Sequence, residues 1–206
     1  MANASGHSEQ PHPTAQPVGR FHAWWRGDTL PALPPVPGLS IAATADTRLL
    51  SELSGTDQRE LDARMACGHT PWSARIDGEP VGWGWCATRE VSIGELGIAV
   101  PLPPGNRYLW DFFTVPTWRG RGVYPWLLQT IIEHEPEAAR FWVGHDLGNL
   151  ASARGITKAG FHEVGLLYHR QDGGFELVPS GPLERAAAAS DLFAVPIAGR
   201  LPARSA

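Results

Sequence analysis

The residues best suited to chemistry in this 206-residue chain lie in one run, Tyr108–Pro125, with the sequence YLWDFFTVPTWRGRGVYP. The run reads as a buried apolar strand, then a tight basic turn, Arg119-Gly120-Arg121-Gly122-Val123, then a helix that begins at Tyr124-Pro125-Trp126. Such a turn aims several backbone N–H groups at one point, beside the positive end of a helix dipole, and so suits a phosphate or pyrophosphate. Gly120 and Gly122 allow close approach and positive φ, and the two arginines add charge. The plainer reading is structural, because any strand–turn–helix corner needs small residues.

A second run tips that balance. Asn149-Leu-Ala-Ser152-Ala-Arg-Gly-Ile-Thr-Lys158-Ala-Gly160-Phe161 has the form N-x-x-S-x-x-x-x-x-K-x-G-F. Together the two runs resemble the GNAT N-acyltransferase superfamily, whose members use acetyl-CoA or another acyl-CoA. The family hallmark, R/Q-x-x-G-x-G/A on a strand-to-helix turn, is met by Arg119-x-x-Gly122-x-Tyr124. Tyr124 departs from it, standing where the family has Gly or Ala, which crowds the phosphate approach. The resemblance spans residues 39–178 and is strongest over 108–161.

The resemblance implies an α/β (α+β) fold: a mixed, strongly twisted sheet flanked by helices, with its two central strands splayed around the acyl-CoA pantetheine. Those strands would be Tyr108–Thr114 and Arg140–His145. It further implies that the backbone of Phe112, Phe113 and Thr114 pairs with the pantetheine like an added strand. Backbone N–H groups of Gly120, Arg121, Gly122, Val123 and Tyr124 would hold the pyrophosphate, with Arg119 at the same site. Asn149 would bond the pantetheine arm, and Ser152 would sit near the phosphates. Asn149 reads equally as a helix cap.

The implied reaction is attack of an amine on a thioester, through a tetrahedral oxyanion that a strand N–H near Phe113 or Thr114 can stabilise. An alkyl amine has a pKa near ~10.4, so a base or a water chain must take its proton. Candidate bases are Asp111, Glu95, Tyr108 and His145. Asp111 is the odd charge in an apolar strand and needs a partner or a function. Alternation puts Tyr108, Trp110, Phe112 and Thr114 on one face and Asp111 on the other, unless a bulge intervenes. His145, beside Asp146, reads more plainly as a polar strand end. Many family members carry a Tyr general acid seven residues after the Asn; here that position is Ile156, and Tyr168 on the next strand is the candidate substitute. Trp83, Trp85, Trp110 and the 93–107 segment are expected to line an aromatic acceptor pocket.

Two functions are therefore in view. One is an acyl-CoA-dependent N-acetyltransferase acting on an amine of a small molecule or protein, which Arg119, Gly122 and Asn149 favour. The other is a non-catalytic CoA-binding or partner-binding module, which Ile156 and Tyr124 favour. Acetyl-CoA is the expected co-substrate and no metal is expected: His7 and His12 lie in a polar tail and make a weak pair. The resemblance also leaves room for a homodimer.

Composition bounds these readings. The length suits one domain with tails, and the apolar share of 43% is ordinary. A net charge of −4 argues against a nucleic-acid partner. No run approaches a membrane span, and no basic start precedes an apolar stretch, so a cytoplasmic protein is expected. Cys67 and Cys86 are expected to stay reduced. Residues 1–18 read as a disordered tail, 19–38 as a Pro- and Trp-rich extension draped over the domain, 39–178 as the GNAT domain, and 179–206 as a C-terminal helix and tail.

Within the domain, Leu39–Ala45 reads as a strand, Arg48–Leu53 and Asp57–Cys67 as helices, and Pro71–Ile76 with Val81–Thr88 as a hairpin. Trp83 and Trp85 share one face of that hairpin and Gly82 and Gly84 the other, where something must pack closely. One strand is expected around Ile93–Val100. After the 149–160 helix, Phe161–Arg170 and Gly174–Val178 form a last hairpin, and residues 182–193 a short Ala-rich helix.

Overall fold

The nearly continuous apolar run after Asn106 calls for cover on both faces, yet within Asn106–Thr114 only Tyr108 and Leu109 are buried. The computed structural model describes residues 16–94, 97–170 and 172–199. Its strands are β1 (Pro17–Trp25), β2 (Leu39–Ala43), β3 (His69–Ile76), β4 (Glu79–Ala87), β5 (Glu90–Ile93), β6 (Ile98–Pro101), β7 (Asn106–Thr114), β8 (Arg140–His145), β9 (His162–His169) and β10 (Phe175–Pro179). The helices are α1 (Thr47–Ser54), α2 (Gln58–Ala66), α3 (Val123–His134), α4 (Leu150–Lys158) and α5 (Leu183–Phe193). Eight strands form one sheet in the order β10-β9-β1-β8-β7-β4-β3-β2, while β5 and β6 pair apart as a hairpin. β7 and β8 run parallel, and the other neighbours described in the sheet are antiparallel. This is the mixed, helix-flanked α/β sheet expected.

α3 carries Leu127, Leu128, Ile131 and Ile132 at helical spacing, and all four are fully buried against Leu109, Phe141 and Val143. Each such side chain is worth roughly 1.5–3 kcal/mol over its exposed state. On the opposite face, Ala186, Ala189 and Phe193 of α5 cover Phe21, Tyr108 and Trp142. Leu50 of α1 and Leu61 of α2 cover Trp83 and Trp85. Asp46, Asp57 and Asn149 cap α1, α2 and α4 with side-chain oxygens. Cys67 and Cys86 are both free thiols.

Two expectations change. Residues 17–25, placed by sequence in a tail and an extension, form a strand inside the sheet, between β8 and β9. Alternation explains it: Phe21 and Ala23 join the core under α5, and Trp24 joins the one under α3. Only the Pro-rich part drapes, held by Trp126 Nε1 on the Pro34 carbonyl (2.9 Å) and Gln129 Nε2 on the Pro31 carbonyl (2.9 Å). The single strand expected at 93–100 is the hairpin β5–β6, with residues 95 and 96 outside the described set. Among the described residues no helix is long and apolar enough to cross a membrane.

β7 contains a bulge. Trp83 of β4 faces Phe113 and Trp85 faces Trp110, so two steps on β4 match three on β7. Asp111 takes up the extra residue with φ +49°. Past the bulge the faces exchange. Phe112 turns to the α3 side, where its ring fills the space above Gly84, while Phe113 stacks on Trp83 at 4.5 Å. Phe112 therefore does not share a face with Trp110, and Gly84 is small to receive it.

Candidate functional site

β7 and β8 pair only from Asn106–Arg140 to Leu109–Val143 and then part. β7 stays with β4 out to Thr114, and β8 stays with β1 out to the Arg20–His145 pair. The wedge between them opens onto two clefts that share Phe112, Tyr124, Asn149 and Ser152.

The larger cleft, about 600 Å³, runs from Phe113 and Thr114 to the basic turn. Gly120 and Gly122 adopt φ +77° and +90°, conformations that disfavour any L side chain. Gly122 is the N-cap of α3 and supplies no side-chain cap, so the first N–H groups of the helix find no partner within it. Open space lies beyond Gly120 where a side chain would project. Val123 lines the cleft from beneath and is buried.

The arginines divide their work. Arg119 Nε donates to the Thr114 carbonyl at 3.0 Å, with its guanidinium 5.4 Å from the Phe113 ring centre, pinning the turn to β7. Arg121 lies over Trp118 at 4.7 Å and is not on the cleft wall. The wall's other cations are Arg154 and Lys158 of α4. Sequence reading placed Lys158 in the second motif without a role and passed over Arg154, although their i, i+4 spacing on the helix begun by Asn149 was a usable signal.

Asn149 Oδ1 accepts the Ser152 N–H at 3.0 Å, so it caps α4 and lines both clefts at once. The Tyr124 ring lies between α3 and α4, 5.2 Å from Phe112, with its hydroxyl 3.5 Å from Ser152 Oγ. Burial pushes the Tyr124 phenol up to about 12, against the opposing pull of the Ser152 contact. Ile156 is fully buried and belongs to the core.

The smaller cleft, about 460 Å³, has Trp110, Asp111 and Arg64 on one lip and Arg20, Phe21 and His145 on the other. Arg64 Nη1 holds the Asp111 carboxylate at 2.6 Å and Nη2 holds Glu60 at 2.6 Å. The same guanidinium lies 4.6 Å from the Trp110 ring centre and 5.3 Å from that of Trp85. Asp111 thus reaches the cleft with its charge already committed. Tyr108 lines the same cleft near its floor. His145 Nδ1 lies 2.8 Å from the Asp146 carbonyl, and its ring stacks on His22 at 5.2 Å.

Other expected residues lie elsewhere. Tyr168 is on β9, separated from β7 by β1 and β8, and lines neither cleft. Glu95 lies outside the described residues. Of the three tryptophans expected on an acceptor wall, only Trp110 is there; Trp83 and Trp85 are core under α1 and α2. Ser92 and Ile93 line the cleft from β5. Arg20, Phe21 and Arg64 carried no local signal, since long-range pairing brings them to the site.

A family model described as the acetyltransferase (GNAT) family matches residues 41–161. Among solved structures, the chain is similar to a GNAT-family acetyltransferase from Colwellia psychrerythraea, with 14% identity and a TM-score of 0.50, covering 73% of this chain and 54% of that one. It is also similar to a GCN5-related N-acetyltransferase from Kribbella flavida (17%, TM-score 0.46, covering 73% and 56%). A third is the aminoglycoside acetyltransferase AAC(6')-Ib solved with coenzyme A (19%, TM-score 0.49, covering 66% and 90%). The chain thus spans about half the length of the first two. No curated protein sequence matches it.

Proposed function

The chain belongs to the acetyltransferase (GNAT) family, and we propose that it transfers an acetyl group from acetyl-CoA to an amine of a small molecule or protein by direct attack on the thioester. The observation that carries this reading is the parting of β7 and β8 after Leu109 and Val143, beside a turn with left-handed Gly120 and Gly122. An extended pantetheine fits the β7 edge that β8 has left. The uncapped start of α3, with Arg154 and Lys158 across the cleft, suits its phosphates. Asn149 serves the pantetheine arm and caps α4 with the same side chain.

The acceptor enters from the smaller cleft, between Trp110 and His145. Its wall is aromatic and aliphatic at Phe21, Ile93 and Trp110, and polar at the rim, which favours an amine on an apolar or aromatic body. An N–H of the bulged β7 segment, at Phe113 or Thr114, would stabilise the oxyanion. The leaving thiolate, with a pKa of roughly 8.5 if it behaves like cysteine, departs without a dedicated acid. That accommodates the apolar Ile156.

Calorimetric titration with acetyl-CoA, free CoA and longer acyl-CoAs tests the donor, followed by thiol release with a panel of amines. Micromolar binding with a preference for acetyl-CoA, and turnover with an amine, is the expected result. Binding without turnover on any amine favours a CoA-binding module, the reading for which the buried Ile156 and the intruding Tyr124 speak. No binding at all would remove the acyl-CoA reading.

A further inference from the structure

Arg20 and His145 on the lip of the smaller cleft, with His22 buried behind them, carry polar atoms that the fold leaves unanswered. Arg20 and His145 are cross-strand partners, and His22 lies two residues along, so all three side chains share one face. Arg20 Nε, His22 Nδ1 and His145 Nε2 are each buried without a hydrogen-bond partner. His22 is only 3% exposed. Three orphaned polar atoms on one face are costly unless a partner answers them, and an ordered water with two to four contacts is the usual one.

The tautomer of His145 follows from its other nitrogen. Asp146 offers a carbonyl oxygen, which only accepts, so Nδ1 must carry the hydrogen of that 2.8 Å bond. Nε2 is left with its lone pair. We propose that His145 is the base that receives the acceptor amine's proton, through a water held among His145 Nε2, His22 Nδ1 and Arg20 Nε. The inference rests on the acetyltransfer reading and deepens it.

The surroundings permit the role. Burial, then the nearby His145 and Arg20, take His22 down to about 3, so the ring stacked on His145 stays neutral. Glu163 of β9 answers the Arg20 charge at 2.9 Å. Asp146 follows His145 on β8, and the Arg64–Asp111 pair faces it across the cleft. Asp111 is the rival base, and its carboxylate is bound to Arg64.

The proton balance closes. The amine arrives as an ammonium and gives one proton, through the water, to Nε2. Its lone pair then forms the C–N bond, and the C–S bond breaks with its electrons on sulfur. The second N–H proton goes to the thiolate, giving CoA thiol, and the imidazolium returns its proton to solvent.

The test pairs two acceptors of similar shape, benzylamine, which is an ammonium at neutral pH, and phenylhydrazine, which is neutral there. The variants are His145→Gln and His22→Phe, each first checked for retained acetyl-CoA binding by calorimetry. His145→Gln should lose about 100-fold in kcat/KM with benzylamine and less than about 5-fold with phenylhydrazine, the size of a lost base. His22→Phe, which removes one contact to the water, should show a smaller loss with the same selectivity. Equal losses on both acceptors, or none on benzylamine, overturn the assignment while leaving acetyltransfer intact. Wild-type protein that binds no acetyl-CoA, or acetylates no amine of the panel, these two included, overturns it along with the reading it rests on.

Discussion

The ring of Tyr124 occupies the space that a side chain at Gly155 would need. Gly155 sits inside α4, where Ala would ordinarily be better by about 1 kcal/mol. The ring is held by its neighbours, with Phe112 5.2 Å away and its hydroxyl 3.5 Å from Ser152 Oγ. Gly155→Ala should therefore destabilise the fold, by about 1–3 kcal/mol from overpacking, and push the ring toward the shared wall of the two clefts. Urea unfolding with a parallel acetyl-CoA titration checks both effects. A more stable Gly155→Ala protein would show that the ring has room, while recovery in Gly155→Ala/Tyr124→Leu would tie the cost to the ring.

Gly122 offers a cleaner probe of the anion site, since its nearest neighbour for a new side chain is Val36 at an ordinary 3.6 Å. The cost of Gly122→Val comes from its φ of +90°, on the order of 1–3 kcal/mol. Straightening that backbone re-aims the first N–H groups of α3. The acetyl-CoA dissociation constant should rise at least tenfold and turnover should fall with it. Unchanged affinity in calorimetry would mean the turn is not the phosphate cradle.

Arg64 and Asp111 separate packing from proton transfer. Arg64→Met removes a guanidinium that lies over Trp110 and Trp85, worth about 1–2 kcal/mol by denaturant unfolding. Asp111→Asn breaks only a partly exposed pair, worth less than about 1 kcal/mol. Turnover of Asp111→Asn with an alkyl amine should drop less than about tenfold. A loss near 100-fold would move the role of base from His145 to Asp111.

Much of this arrangement was legible because it is local. The Asn149 cap, the Gly120–Gly122 turn and the hairpin glycines each announce themselves within a few positions. What was not legible depends on distant partners. Nothing near Phe21 signals that it will pair with Gly144, 123 positions on, and so complete a cleft. Nothing near Arg64 signals Asp111, 47 residues away. The bulge has a faint signal, because Asp tolerates left-handed φ better than most residues. It nevertheless moved Phe112 off the face that alternation assigned it.

The His22 ring also makes stability depend on pH in a direction that can be fixed. Burial lowers His22 from 6.5 to about 3 in the folded protein. The unfolded chain binds this proton below about 6.5, whereas the folded protein does so only near 3. The contribution is thus complete above pH 6.5 and lost progressively as pH falls toward 3. A one-proton difference gives about 1.4 kcal/mol per pH unit, or up to about 3 kcal/mol between pH 6.5 and 4. His69, lowered chiefly by burial, adds to the loss in the same direction. His22→Phe keeps an aromatic ring against His145 and removes the titration, so its urea stability should fall less steeply over that window. Parallel curves for the two proteins would mean that His22 is reached by solvent and protonates in the folded state, and the water proposed among His22, His145 and Arg20 would lose its dry surroundings.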